Sequence, residues 1–208
     1  MEPPTKTEPP FVPLRHTGWA SHRTPLWVFA AIIVLAVGVV VVSLSHRPSP
    51  AQRASDLSGY FSDVNAGIES CAGGMRDSLT ALRSVEAGDT ANYSTAAGIL
   101  TYNAQNCSPA NNQPLSDFAG YQVTESLARY PLDTADNDVV TWAFDAQEAQ
   151  TDMLAVLKAA TPATKARANA TLQAAMRKMD TQKAAIDAIW TSAEKGVGST
   201  AAFPSLPS

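Results

Sequence analysis

The chain has 208 residues, of which 45% are apolar and only 16% charged, with a net charge of −4. That charged share is low against the roughly 25% of ordinary soluble domains, so part of the apolar content belongs outside a soluble core. The acidic balance argues against a nucleic-acid binder, which would carry a basic face.

Residues 1–24 hold Pro3, Pro4, Pro9, Pro10 and Pro13. Such a segment cannot build a packed core and is expected to be a disordered, proline-rich cytoplasmic tail. Next comes PLWVFAAIIVLAVGVVVVSL, starting at Pro25, which has no charge and Ser43 as its one polar side chain. About 20 residues at 1.5 Å each cross roughly 30 Å of hydrocarbon. Residues 25–45 are therefore expected to form a transmembrane helix, with Trp27 at an interface. A cleaved signal peptide is the alternative. Its apolar region would be about 7–15 residues and end in a small-residue site, whereas this run is longer and Pro48 and Pro50 follow closely. Lys6, Arg15 and Arg23 precede the span, and Arg47 and Arg53 follow it. This bias places the N-terminus in the cytoplasm and the C-terminal domain outside. The composition, rich in Ala and Asp and poor in Lys, has a bacterial look.

Residues 46–51 read as a linker, 52–195 as an extracytoplasmic helical bundle and 196–208 as a flexible C-terminal tail. The first helical stripe is Leu57, Phe61, Val64, Ile68, Cys71, Met75, Ser78, Leu82 and Val85, alternating by four and three residues. Gly88-Asp89 ends that helix, and Asp89 or Thr90 is expected to cap the next. A second stripe runs Tyr93, Ala97, Leu100, Ala104 and Cys107, with Pro109 stopping it. This second helix is too short to cover Leu57, Phe61 and Val64. Residues 115–129 are expected to fill the gap with one or two short helices, Ser116 serving as cap. The third stripe is Val139, Trp142, Ala146, Ala149, Met153, Val156 and Ala160, capped by Asp133 or Thr134. Thr161-Pro162 reads as a cap followed by proline at the first helical position. The fourth stripe is Ala168, Leu172, Ala175, Met179, Gln182, Ile186, Ile189 and Ala193. The fold class expected is thus all-α: one N-terminal transmembrane helix, then an antiparallel four-helix bundle. It runs up, down, up, down, with the second leg in two pieces.

The two cysteines sharpen this layout. Cys71 and Cys107 each lie 18 residues from Asp89 at the first turn. In an antiparallel helix pair, residues equidistant from the turn face each other, and both cysteines fall on apolar stripes. A Cys71–Cys107 disulfide is expected, with Ala72, Gly73, Gly74 and Ala104 allowing close helix approach. A bridge closing a loop of about 35 residues would stabilise by roughly 3–4 kcal/mol, and it fits an oxidising compartment.

The histidines His16, His22 and His46 all precede the bundle. That removes histidine-activated nucleophiles, His-ligated zinc and the Glu-x-x-His di-iron motif from the exported domain. No catalytic, cofactor-binding or metal-ligating residue is assigned, no cofactor is expected, and the chain is read as not being an enzyme. Asp133, Asp136 and Asp138 form an acidic run attributed to helix capping rather than to calcium. Asp145, Glu148 and Asp152 are read as a solvated face. Lys165, Arg167, Arg177, Lys178 and Lys183 make the fourth helix partly basic, which is read as complementary packing against the acidic third helix or as plain solvation rather than as an anion site. Trp142, Trp190, Tyr121 and Tyr130 could line a pocket, but are more simply core. The glycosylation-type triplets at Asn92, Asn106 and Asn169 carry no weight in a bacterial setting.

The functional expectation is a membrane-anchored, non-catalytic binding, sensing or scaffold module. It would meet the lipid bilayer through residues 25–45 and a membrane or envelope protein through its exported domain, and it would not bind nucleic acid. The layout is similar to the ligand-binding bundles of bacterial sensors, from which it departs by carrying no second span and no output domain. The alternatives are an oligomer-forming cell-surface structural protein and, further off, a carboxylate-dependent hydrolase. Charge divides along the same boundary. Residues 1–47 carry four basic and two acidic side chains, and 48–208 carry 11 basic and 17 acidic.

Overall fold

Beyond the linker, the apolar stripes become helices whose ends are set by proline, glycine and polar caps. The computed structural model describes residues 47–207, and all of their regular structure is helical. The expected tail 1–24 and span 25–45 lie outside the described residues. Among the described residues, no helix is long and apolar enough to cross a membrane.

Helix α1 spans Pro50–Glu86. Ser49 caps it by accepting from the Gln52 amide at 3.1 Å, and Pro50 sits in the first turn, where a missing N–H costs nothing. The linker therefore ends at Ser49 rather than at residue 51. Gly88 turns the chain with φ of +108°, a conformation glycine adopts without steric cost. A 3₁₀ turn over Thr90–Asn92 intervenes before α2, Tyr93–Asn106. Neither Asp89 nor Thr90 caps α2: Asp89 instead accepts from the Asn92 side chain at 2.7 Å.

Helix α3 is short, Gln113–Ala119, and its cap is Asn112, not Ser116. Asn112 accepts from the Leu115 amide and donates to the Asn106 carbonyl, tying α3 to the end of α2. A second 3₁₀ turn, Glu125–Leu127, completes the segment. Helix α4 spans Leu132–Lys158. Its N-cap is Pro131, so Asp133 lies inside the first turn and Thr134 caps nothing. Ala160 falls beyond the helix end and is exposed. Helix α5 spans Pro162–Val197, opened by a capping box of Thr161 with Thr164 and closed by Gly198 at φ of +73°.

One hydrophobic core runs through these helices. Every expected member of the α1 stripe is buried except half-buried Val85. Val139, Trp142, Ala146, Ala149 and Met153 of α4 are fully buried. Helix α2 is rotated from its expected register. Ala96, Leu100, Asn103 and Cys107 face inward, while Tyr93 is exposed. Contacts set the directions. Tyr60 near the start of α1 bonds Asp136 near the start of α4 and meets Trp190 near the end of α5. Glu86 at the other end of α1 pairs with Lys165 at the start of α5. Helix α5 therefore runs back along α1.

The short α2 leaves the first turns of α1 to later residues. Phe118 of α3 packs against Gly67, and Ser126 donates to Asp56 at 2.5 Å. The segment expected to be a C-terminal tail begins inside a helix. Gly196 and Val197 remain in α5, and Pro204 and Leu206 are buried. Phe203 meets Phe61 and Trp190 with ring centroids 5.4 and 6.0 Å apart.

Candidate functional site

Two polar clusters interrupt the core. The first surrounds the cysteines. Cys71 and Cys107 stand at disulfide distance, with Sγ atoms 2.05 Å and Cα atoms 4.6 Å apart. So close an approach needs small neighbours, and Gly74 faces Asn103 directly: a Cβ at Gly74 would lie 3.0 Å from the Asn103 Cβ. The Asn103 amide donates to the Gly74 carbonyl at 3.0 Å and to Ser78 Oγ at 3.3 Å. Ser78 donates to Gln150 Oε1, and Gln150 Nε2 lies 3.3 Å from Cys107 Sγ. Ser78, Asn103 and Gln150 are all buried. Each finds a partner, as buried polar groups must, and together they stitch α1, α2 and α4 at one level. Asn103 also borders an open cleft of about 540 Å³ between α1 and α2, whose other walls include Asp77, Ser84, Ile99 and Tyr102; the hydrogen bonds of the cluster itself are structural.

The second cluster lies nearer the start of α1. The Trp190 indole N–H donates to Tyr60 Oη at 3.2 Å, and Tyr60 donates to Asp136 Oδ1 at 2.7 Å. This relay joins α5, α1 and α4. Burial pushes the Asp136 carboxyl up to about 6; the Tyr60 hydrogen bond opposes the rise and the Asp133 charge adds to it. Burial, then the Asp136 carboxylate, pushes the Tyr60 hydroxyl well above its usual range. Asp136 Oδ2 is buried without a hydrogen-bond partner.

Outward from Tyr60 the cluster opens. The Tyr121 ring lies 5.9 Å from that of Tyr60 and stacks against Phe118 at 6.1 Å and 25°. Tyr121 is half-buried and forms one side of a cleft of about 410 Å³ between α1 and α3. Asp63 and Gly67 line the α1 side, and Pro114, Asp117 and Phe118 line the α3 side. Gly67 permits this helix contact, since a Cβ there would come within 2.8 Å of the Phe118 Cβ. Burial raises the Tyr121 hydroxyl, and the Asp63 and Asp136 carboxylates raise it further.

The expected candidates are divided by the structure. Trp142 and Trp190 are fully buried, Tyr121 borders the cleft, and Tyr130 lies under the Arg129 guanidinium at 4.7 Å, away from it. The acidic run also splits, with Asp133 exposed and Asp136 buried. The Asp145 face is not simply solvated. Asp145 is buried and accepts from Lys178 at 2.5 Å, which raises the Lys178 ammonium through that hydrogen bond and the Asp145 charge. Half-buried Asp152 is raised by burial and by Glu148. Among the described residues, no group of three or more His, Cys, Asp or Glu side chains is placed to hold a metal.

Tyr60, Asp63 and Asp117 were not singled out by the sequence reading. Tyr60 had a usable signal, because Leu57, Tyr60 and Val64 keep the same spacing as the stripe that passes through Phe61. Asp63 and Asp117 had none, since their nearness depends on α3 folding back onto α1. Comparison with protein-family models, curated proteins and solved structures gave no match to this chain.

Proposed function

We propose that the chain is a single-pass membrane protein with its N-terminus in the cytoplasm, held by residues 25–45. Its C-terminal domain is extracytoplasmic and forms an up-down-up-down four-helix bundle with a broken second leg. It acts as a non-catalytic binding, sensing or scaffold module beside a membrane or envelope partner. The observation that carries this reading is the pairing of Cys71 with Cys107 at disulfide distance inside the core. A bridge of this kind persists in oxidising compartments, and the uncharged stretch before it has the length to anchor the domain there. The cleft beside Tyr121 supports binding.

The test is topological. Protease added to intact spheroplasts of an expressing bacterial host should digest the C-terminal domain and spare a tag fused before Met1. The unreduced, denatured chain should show no free thiol. A digested tag, a protected domain, or two free thiols would overturn the reading.

A second reading has one observation in its favour: Asp63 and Asp117 line the same cleft, as a carboxylate-dependent hydrolase requires. Glycan turnover by the full chain, abolished by Asp117→Asn, would select it.

A further inference from the structure

The cleft between α1 and α3 combines two features that are seldom placed together without use. One wall is aromatic: the Phe118 and Tyr121 rings lie 6.1 Å apart at 25°, and the Tyr60 ring, tilted by 57°, lies 5.9 Å from that of Tyr121. The rim is anionic, with Asp63 on α1 and Asp117 on α3. Gln113 donates to Asp117 Oδ1 at 2.6 Å and adds no charge. No lysine or arginine lines the cleft, and the ion pairs among the described residues involve neither Asp63 nor Asp117. Neither rim carboxylate thus has an ion-pair partner among the described residues.

Chemistry narrows the ligand. An anion is repelled by the carboxylates. A hard divalent cation wants six or more converging oxygens, and no cluster of acidic side chains here is placed for one. A neutral apolar molecule would use the rings and leave the carboxylates idle. A cation with a diffuse charge and an apolar surface uses both, since the negative face of an aromatic ring attracts it and a carboxylate neutralises it. The volume, about 410 Å³, lies at the lower end of small-molecule pockets.

We propose that this cleft binds a small organic ammonium ion, with the Tyr121 ring as its face and Asp63 and Asp117 as its counter-charges. The proposal rests on the reading of the domain as a binding module and names the ligand class of that module.

The test is calorimetric titration of the full chain in maltoside micelles, free of choline lipids, with choline and tetramethylammonium as probes. Saturable binding at one site is expected. The uncharged carbon isostere 3,3-dimethylbutan-1-ol should bind at least about tenfold more weakly, because it lacks the charge that the ring and carboxylates select. Asp63→Asn and Tyr121→Ala should each weaken choline about tenfold. Tyr121→Phe, which keeps the ring and the packing, should bind within about twofold of the unaltered chain, so that a folding defect in Tyr121→Ala is told apart from loss of the ring.

The absence of saturable binding by either probe would overturn the proposal. So would equal binding of the isostere, or choline affinity unchanged by both Asp63→Asn and Tyr121→Ala. Tighter binding of N-acetylarginine amide than of choline would overturn it in favour of a partner protein's side chain. The spheroplast experiment separates the two levels. An exposed, oxidised domain that takes no ammonium ion overturns the ligand alone, whereas a protected, reduced domain overturns the module itself.

Discussion

Along α4 and α5 two long helices lie side by side from the Thr161 turn onward, whereas α1 meets a partner that changes identity along its length. That partner is first α2, then α3, then the turn at Glu125–Leu127. The α4 seam is built from Ala135, Ala143, Ala146 and Ala149 among larger side chains, all fully buried. Small side chains at helical spacing let backbones approach and need no special device. The broken partner of α1 lacks that continuity. It is held by local devices instead: the cysteine pair, the Asn103–Ser78–Gln150 network, the Asn112 cap, and Gly67 under Phe118. A continuous hairpin distributes its stability over many weak contacts, while an interrupted one concentrates it at a few positions. The candidate ligand cleft falls in the interrupted half, where two separate segments meet and leave space.

Breaking the cysteine pair should expose this contrast most strongly. Cys71→Ala with Cys107→Ala removes a constraint on a long loop and is expected to cost roughly 3–4 kcal/mol in the chain-entropy picture. Urea unfolding of the double variant should show it. Hydrogen exchange should show the loss first in α2 and α3, with α4 and α5 keeping their protection longer. Uniform loss across all helices would remove the distinction between the halves. The next largest effect is expected at Gly67. A Cβ there would meet the Cβ of Phe118, close to the backbone and unable to swing aside. Gly67→Ala should cost about 2 kcal/mol by overpacking and displace α3. Gly59→Ala on the same helix, with open space around it, should be neutral or slightly stabilising.

The Tyr60–Asp136–Trp190 relay joins the two halves, and acidity tests it. Asp136 has a folded-state pKa of about 6 against an ordinary value of 3.8, so the folded chain binds this proton more tightly than the unfolded chain. Its stabilising contribution is complete below pH 3.8 and is lost as pH rises through about 6. Asp136→Asn keeps an acceptor for Tyr60 and removes the titration. The unaltered chain should therefore gain stability relative to Asp136→Asn as pH falls from 7 to 4.5, by on the order of 1–2 kcal/mol. The readout is the difference between their urea midpoints at each pH. A difference independent of pH would mean that Asp136 is ionised in the fold throughout.

How far the sequence reveals this arrangement follows the same division. The stripes of α4 and α5 are legible because large apolar side chains repeat at three and four residues and nothing competes with them. Helix α2 is misread by a small rotation. Tyr93 counts as apolar in a stripe but keeps its hydroxyl in water, and Asn103 counts as polar but is buried because Gly74 and Ser78 satisfy it. Asp136 is assigned to helix capping and Asp145 to a solvated face for the same reason. Their partners, Tyr60 and Lys178, are 76 and 33 residues away, and no periodicity reports a partner at that distance. The cysteine pair is the exception, since symmetry about Asp89 converts a long-range contact into a local count. The Asn112 cap was available in Asn112-Gln113-Pro114, a capping residue with proline in the first turn, but Ser116 stands closer to the apolar residues and drew the cap to itself.

Helix caps offer the finest comparison between the halves. Thr161 is exposed and its capping box with Thr164 serves α5 alone. Thr161→Ala should cost about 1 kcal/mol, the usual value for a lost N-cap, because water can replace the hydroxyl. Asn112 is buried, and it both caps α3 and donates to the Asn106 carbonyl at 2.6 Å. Asn112→Ala leaves two groups without partners, one of them at the junction between α2 and α3, where water has poor access. Its cost should exceed that of Thr161→Ala by about 1 kcal/mol, the penalty for one orphaned buried group. Paired urea titrations of the two variants measure that difference directly. Equal costs would mean that water reaches the α2–α3 junction as freely as it reaches the α4–α5 turn. The interrupted half would then owe its rigidity to the cysteine pair, the Asn103–Ser78–Gln150 network and the Gly67–Phe118 contact, without the Asn112 cap.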